Sequence, residues 1–552
     1  MESSLVLLGL LLLLVLISLA LDATQCTLLS KSGMALLVGV LCGLAIATDP
    51  ALYQRLGFQY TIFFDVLLPP IIYEAGFSVQ RLAFFQNVGA ILLTAILGTL
   101  ISAGVIGLGL YLAGHAGAGP QLEWVEACLF GALISAVDPV ATLACFSKLH
   151  VPPLLFNIVF GESVLNDAVA IALYQSLLAY ESSRSVSLGV LLQVLLQTFS
   201  ILLGSIGISI ALLLSGAYGF ARVRHLRHYP VYEVLVCFLL AFLTYFAADA
   251  CHLSGIVALF FSGMLTAHYM YPVMSPPGQT FFHHALEAAA FVAESLVYVC
   301  MGVSASLCFV QVADADKIHY TDLDWRFVAW TCVMLLLGRA LNTFPLLRWV
   351  NTYRVPSVQI TRPMLLVIWF TGLRGAVSFA LVTTWSYTDA NGTSHRKLMM
   401  TTTLFVVMST TWLIGGMTGP LLRALNLSQR PTPPALSSDR LAVLPECDHE
   451  TAKPVPVRHR SVSQESLRID ESERPSEAAA DDVTHQSRLH ARFARMIECW
   501  HAFDQQHLMP VFGAASTRVS VHRRHQEARS TASVDVHLEA TEPTTMLTSA
   551  NS

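Results

Sequence analysis

Thirteen mostly apolar runs, divided by short polar links, occupy the first 426 positions: 5–21, 33–48, 60–76, 87–112, 124–146, 154–179, 186–218, 231–249, 252–271, 291–310, 327–347, 363–383 and 398–418. This pattern constrains the fold more than any other feature. A run of about 20 apolar residues matches the ~30 Å hydrocarbon core of a bilayer. Within that core each backbone N–H and C=O must find its partner inside the protein, so separate apolar spans become helices. Charged residues supply only 12% of the chain and hydrophobic residues 54%; a soluble domain carries roughly 25% charged residues. So sparse a set of charges cannot cover a globular surface, which excludes a soluble enzyme, a nucleic-acid binder and a disulfide scaffold. The formal net charge of -5 points to no polyanionic partner. Most of the 11 cysteines lie in apolar runs and read as small buried hydrophobes. No Cys/His cluster suggests a resident metal, and no cofactor is expected.

The predicted fold class is an all-α polytopic membrane protein with about thirteen transmembrane helices. Composition changes near Leu427, where Pro431, Pro433, Pro434 and many Ser, Glu and Arg follow. Residues 1–426 form the membrane domain, and 427–552 read as a mostly disordered soluble tail. The 186–218 run is long for one helix and predicts a strong tilt or a kink. The first run resembles a signal peptide in length, but Met1–Ser4 contains Glu2 and no basic residue, so a retained helix is expected. Basic links face the cytoplasm. Arg222, Arg224 and Arg227 place the 219–230 link there, as do Arg348, Arg354 and Arg362 for 348–362. The 311–326 link holds Asp314, Asp316, Asp322 and Asp324 against Lys317 and Arg326 and fits the opposite face. Thirteen spans satisfy all three placements, with the tail cytoplasmic and the N-terminus outside or in a lumen. Asn391 in Asn391-Gly392-Thr393 is then a glycosylation candidate on the outer face, whereas the Asn426 sequon faces the cytoplasm.

A charge inside a span costs ~2.5–3.5 kcal/mol on insertion scales, so each needs a reason. Asp65 and Glu74 lie in the third span, Asp138 in the fifth, Glu162 and Asp167 in the sixth, Glu294 in the tenth, Arg339 in the eleventh and Arg374 in the twelfth. In the sixth, Ser163 and Asp167 are four apart, as are Glu162 and Asn166, which gives one polar face on a helix. Two arginines are available for Asp138, Glu162 and Asp167, so at least one of these carboxylates is left without a guanidinium of its own. A buried carboxylate without a guanidinium holds a proton readily, because desolvation disfavours its charged form, and can exchange that proton for a metal cation.

Asp138-Pro139 and Gly372-Leu373-Arg374-Gly375 interrupt spans five and twelve with helix breakers, which free backbone carbonyls and amides. Broken helices that meet at the midplane are where inverted-repeat transporters bind ions. Spans five and twelve are equivalent if spans 1–6 and 8–13 are two six-helix inverted repeats joined by span seven.

These residues resemble the sodium/proton exchanger family of cation–proton antiporters. The match runs through Ala136-Val137-Asp138-Pro139-Val140-Ala141-Thr142 and Val159-Phe160-Gly161-Glu162-Ser163-Val164-Leu165-Asn166-Asp167-Ala168-Val169. Leu68-Pro69-Pro70-Ile71-Ile72, Gly338-Arg339-Ala340-Leu341-Asn342 and Gly372-Leu373-Arg374-Gly375-Ala376-Val377 support it. Phe84-Phe85-Gln86-Asn87-Val88-Gly89, Arg339 with Asn342, and Phe503-Asp504 through Leu508, Pro510 and Phe512 look like the intracellular-organelle branch. The resemblance implies a homodimer on a Golgi or endosomal membrane, with the plasma membrane as the alternative. It implies dimerisation helices in 1–86 and 186–310 and an ion-carrying core in 87–179 and 327–426. It also implies that Asp167 binds the transported Na⁺ or K⁺, with Asn166 as partner and Asp138 close by. Ser163 and carbonyls near Thr142 would assist. Glu162 and Arg339 would form a structural pair, Arg374 would sit at the helix crossing as a partner for Asp138, and Glu294 would line a cytoplasmic funnel.

The Asn166-Asp167 pair leaves one titrating carboxylate, so one proton would exchange for one monovalent cation without net charge movement. An electrogenic antiporter and a cation channel are the rival readings; no repeated carbonyl loop suggests a channel filter. An intramembrane serine hydrolase is the enzyme alternative, but Gly161-Glu162-Ser163-Val164-Leu165 lacks the final glycine of a nucleophile elbow. In the tail, Leu489, Phe493, Met496, Ile497, Trp500 and Phe503 share one face of an amphipathic helix over about 487–506. This helix would pack beneath the transport domain, lie on the membrane surface or take a calmodulin-like regulatory protein. Ser461 and Ser463, after Arg458-His459-Arg460, are phosphorylation candidates.

Overall fold

A computed structural model describes residues 2–24, 30–46, 56–138, 140–179, 188–306, 323–354, 359–372, 374–388, 394–427, 503–504 and 508. Pro139, Asn391, Ser461, Ser463, residues 487–502 of the tail helix and most of the acidic 311–326 link lie outside them. Among the described residues every regular element is helical. In chain order the main helices are α1 Glu2–Ala23, α2 Lys31–Ala45, α3 Tyr60–Ser78, α4 Val88–His115, α5 Trp124–Ile134, α6 Val140–Leu149, α7 Pro153–Ala179 and α8 Leu188–Arg222. Then follow α9 Pro230–Ala250, α10 Gly255–Val273, α11 Pro276–Ser306, α12 Trp325–Thr352, α13 Arg362–Phe370, α14 Ala376–Thr383 and α15 Arg396–Ala424. Ten of these regions are each long and apolar enough to cross a membrane, and α2 is a shorter apolar helix. The remaining two expected spans are the half-helix pairs α5/α6 and α13/α14. Each of the thirteen runs thus has a helical counterpart.

Two departures have physical causes. Helix α11 starts at Pro276, well before position 291. Its first turns mix Phe281, Phe282 and Leu286 with the exposed His284 and Glu287, too polar a stretch to read as part of a span. The buried Glu233 of α9 anchors this start, accepting from the Ser275 amide (3.1 Å) and hydroxyl (2.5 Å). A carboxylate at a helix N-terminus also complements its macrodipole. Helix α8 is one unbroken 35-residue helix. Within α3, the Phe63–Leu67 turn is π-helical. Pro69 and Pro70 follow it; a proline lacks an N–H and its ring presses on the carbonyl four residues back, which here falls on Asp65 and Val66. Widening that turn accommodates both rings.

Helices pack in two sets that meet where α7 lies on α8 and α15 on α2. Helix α2 lies along α11, α3 packs on α10 and α11, and α8, α9 and α10 pack together. In the other set α4 packs on α5 and α12, α5 on α7, α6 and α14 on α15, and α12 on α13. The α2–α11 approach is backbone to backbone: a Cβ on Gly39 or Gly302 would run into the opposite main chain, the small-residue solution to helix association in lipid.

Polar contacts at the helix ends fall on two faces. Asp22, ending α1, meets Lys31 of α2 at 2.7 Å and Lys148 of α6 at 3.1 Å, and Arg354, past α12, donates to Asn87 before α4 at 2.7 Å. Asp504 of the tail accepts from Tyr269 at 2.6 Å and pairs with His268 at 2.7 Å, and Arg81 reaches the other ring nitrogen of His268 at 3.0 Å. Burial lowers the Arg81 pKa while Asp504 pulls it back up. At the other ends, His395 meets Glu126 (3.0 Å) and Tyr387 donates to Glu123 (2.5 Å). This is the alternation that thirteen crossings require, with the described tail residues on the face of the basic links.

Candidate functional site

Helix α5 stops at Ile134, and Ser135 to Asp138 run on without helical structure before α6 begins at Val140. Asp138 precedes a proline, and the residue before proline is pushed out of the α region. Helix α13 stops at Phe370, and α14 starts after Gly375. The two breaks cross. A Cβ on Gly375 would overlap the Asp138 side chain, so glycine is what allows the approach. The Arg374 side chain is buried and its guanidinium faces the Ser135 and Ala136 carbonyls at 3.4 and 3.3 Å; its amide donates to Thr410 of α15 at 3.2 Å.

The crossing is electrostatically ordered. Helix C-terminal ends are partly negative and N-terminal ends partly positive. Arg374 meets the C-terminal end of α5. Arg339 donates to the Ile368 carbonyl near the end of α13 at 3.0 Å. Asp138 stands just before the N-terminus of α6 and against Gly375, which precedes that of α14. Each half-helix end therefore faces a side chain of opposite sign.

Helix α7 passes beside the crossing and is buried through most of its length. Its Glu162 pairs with Arg339 through both guanidinium ends, one contact being 3.2 Å, with both side chains buried. Asn342 approaches Glu162 at 3.5 Å. Asn166 is held at both ends of its amide: its oxygen accepts the Val137 N–H at 3.1 Å, and its nitrogen donates to Thr99 of α4 at 2.8 Å. Ser163 donates to the Phe160 carbonyl of its own helix at 2.8 Å. Thr142 is buried in the first turn of α6. Asp167 is 8% exposed, and its Oδ1 has no hydrogen-bond partner among the described residues.

The structure thus brings Asp138, Thr142, Glu162, Ser163, Asn166, Asp167, Arg339 and Arg374 to one locus. Glu294 stands to one side on α11, accepting from Ser32 of α2 at 3.0 Å. Asp138 Oδ2 accepts from the phenol of Tyr298 at 2.6 Å, and Arg374 has its guanidinium on the carbonyls of the same break. Thr99, Ser32 and Tyr298 were not singled out in the sequence; neutral hydroxyls in apolar runs carry no signal comparable to a charge. Chemically, the locus offers a buried carboxylate with an unfilled acceptor position, a second carboxylate at positive helix ends, and carbonyls freed by a broken helix. Oxygen donors of this kind suit a hard monovalent cation, and a proton on the same carboxylate would exclude it.

Residues 8–424 match the profile of the sodium/hydrogen exchanger transmembrane family. The chain is 38% identical to sodium/hydrogen exchanger 8 of Homo sapiens over 375 residues, covering 67% of this chain and 61% of that protein. It is 33% identical to sodium/hydrogen exchanger 9 of Rattus norvegicus over 471 residues, covering 84% of this chain and 65% of that protein. The match therefore spans less than two thirds of these relatives' length. The sodium proton antiporter MjNhaP1 from Methanocaldococcus jannaschii shares the fold, with a TM-score of 0.57 at 16% identity over 78% of this chain and 99% of that one.

Proposed function

The chain belongs to the sodium/hydrogen exchanger family, and from that premise we propose that it is a secondary antiporter exchanging one monovalent cation, Na⁺ or K⁺, for one proton at Asp167. The observation that carries the reading is the buried Asp167 carboxylate with an unfilled oxygen beside two crossing helix breaks. Asp167 binds the cation when deprotonated and is closed to it when protonated. Asn166 ties α7 to Val137 in the break and to Thr99 of α4, so it fixes where Asp167 stands. Asp138 adds negative charge beside the cation, and Arg374 neutralises the carbonyl end of α5. Glu162 and Arg339 hold α7 against α12.

Coupling follows from the cost of moving an isolated charge through an apolar barrier. Bare Asp167 crosses far less readily than Asp167 neutralised by either cargo. With asparagine at 166, one carboxylate carries one charge, and exchange is electroneutral. The two packing sets support a division into a stationary part (α1–α3 and α8–α11) and a moving core (α4–α7 and α12–α15) that rocks between faces. We assign the assembly as a homodimer in an endomembrane, Golgi or endosomal, where it sets luminal and cytosolic pH and cation content, with the tail cytoplasmic and open to a regulatory protein.

The test is reconstitution in liposomes loaded with a pH dye, with Na⁺ and K⁺ gradients imposed and the membrane potential clamped or free. Cation-driven proton movement indifferent to voltage is expected, and Asp167→Asn abolishes it while leaving expression intact. Vigorous exchange by that variant sinks the assignment of Asp167. Voltage-sensitive exchange overturns the stoichiometry, and uncoupled dissipation favours a channel.

A further inference from the structure

Tyr298 lies on α11, in the set assigned to the stationary part, and Asp138 lies in the α5/α6 break of the core. Their 2.6 Å hydrogen bond therefore joins the two parts at the site itself. The phenol is 3% exposed and is aimed by its neighbours. Ser32 of α2 is beside it, with its hydroxyl proton donated to Glu294 of α11 at 3.0 Å. Side chains of α2 and α11 thus stand around the core carboxylate.

The surroundings of this bond differ on its two sides. Glu294 and Asp138 are both partly exposed. Ser32 sits in the first turn of α2, next to Lys31, on the face that carries Asp22, Lys148 and the described tail residues. Toward the opposite face, Phe58 packs against Phe379 of α14 with ring centroids 5.1 Å apart and against Phe63 at 5.2 Å. Its amide is held by Ser304 of α11 at 3.1 Å. Aromatic packing thus fills the far side, and the partly exposed carboxylates lie toward the tail face.

We infer that Tyr298 is a positioning residue that holds Asp138 in the conformation open to the tail face and so sets the balance between the two access states. This inference rests on the alternating-access reading above. A core that moves against α11 carries Asp138 away from the phenol, so the bond exists in one state only. An interaction present in one of two states shifts their populations by its full strength, and the apparent affinity at each face scales with the fraction of molecules open to that face. Hydrogen bonds to charged acceptors are among the stronger ones, so the shift is substantial. Since the near-face KM varies inversely with one population and the far-face KM with the other, the ratio of the two reports the conformational equilibrium directly. A change in local packing or intrinsic cation affinity moves both KM values together and leaves the ratio alone.

The experiment measures the cation KM of exchange from each face in proteoliposomes sorted by tail orientation. In Tyr298→Phe, which removes one oxygen and keeps the ring, the ratio of tail-face KM to opposite-face KM is expected to rise roughly tenfold. Ser32→Ala, which leaves the phenol without its neighbour, raises the ratio in the same direction by less, and Ser32→Thr restores it. An unchanged ratio in Tyr298→Phe overturns the inference, whether or not the individual KM values move. A fall in the ratio overturns it too. Loss of exchange in the unmodified protein is a different result, because it removes the transport reading on which the ratio depends.

Discussion

The charged residues of the membrane domain divide by what satisfies them. Glu162 and Arg339 satisfy each other, and Arg339 also covers the Ile368 carbonyl. Arg374 covers two carbonyls of the α5/α6 break. Asp167 Oδ1 has no hydrogen-bond partner among the described residues, which is what the proposed transport role asks of it. Arg339→Met should therefore leave Glu162 as an uncompensated buried charge and cost about 3–5 kcal/mol. A large drop in the unfolding midpoint in detergent would show it. The double variant Glu162→Gln with Arg339→Met should recover much of that loss, since paired removal leaves no stranded charge. A double variant as unstable as the single one would mean that the pair does more than neutralise itself. The charges were legible in the sequence because each is costly in lipid and stands out from its run. Thr99, Ser32 and Tyr298 were not, because serine, threonine and tyrosine occur throughout apolar helices, where a hydroxyl can bond to a carbonyl of its own turn, as Thr94 does with Ala90 at 3.0 Å. Only the folded chain shows which hydroxyls reach another helix.

Among the elements, the two broken helices do most to build the site, and their positions were readable from Asp138-Pro139 and Gly372 to Gly375 because proline and glycine act locally. What the sequence did not show is that the breaks touch. Asp138 lies directly against Gly375, so Gly375→Ala should displace the carboxylate at a cost typical of overpacking, about 1–3 kcal/mol. Exchange should fall at least tenfold while the protein still reaches the membrane. Gly104→Ala in α4, where a Cβ has open space, is the matched control and should leave transport unaffected. Wild-type exchange in Gly375→Ala would mean that the breaks separate during the cycle without consequence. The span count was legible from periodic hydropathy, but the early start of α11 at Pro276 was not. A helix that continues beyond the apolar layer becomes polar, as His284 and Glu287 show, and hydropathy ends where the lipid ends. The π turn before Pro69 and Pro70 escaped for a related reason: proline predicts a disturbed helix, but not whether it kinks or widens.

On the scale of the whole molecule, the stoichiometry reduces to how many carboxylates exchange a proton for a cation. Two local contacts set the boundary conditions. Asp504 seats the tail against His268 and Tyr269, beside Arg81 in the link between α3 and α4, so Asp504→Ala should expose the tail to faster cleavage in limited proteolysis without loss of the transport domain. Equal cleavage rates would mean that Asp504 does not hold it. Within the transport domain, Glu162 pairs with Arg339 and Asp138 accepts from Tyr298, and in the proposed mechanism Asp167 is the one group for which proton and cation compete. Mass action at one shared site has a definite slope. Below the pH at which Asp167 becomes mostly protonated, each unit of acidification multiplies competing protons by ten, so the apparent KM for the cation should rise about tenfold per pH unit, with maximal rate at saturating cation unaffected by this competition. Two coupled carboxylates would give a rise of about a hundredfold per unit over part of the range, and the second would be Asp138, the acid nearest the crossing. Measured on the tail face with voltage clamped, a slope of one together with voltage-independent flux requires a single proton per cation. A slope of two with voltage-driven flux would assign the charge movement to Asp138 and make the Tyr298 hydrogen bond part of the proton chemistry.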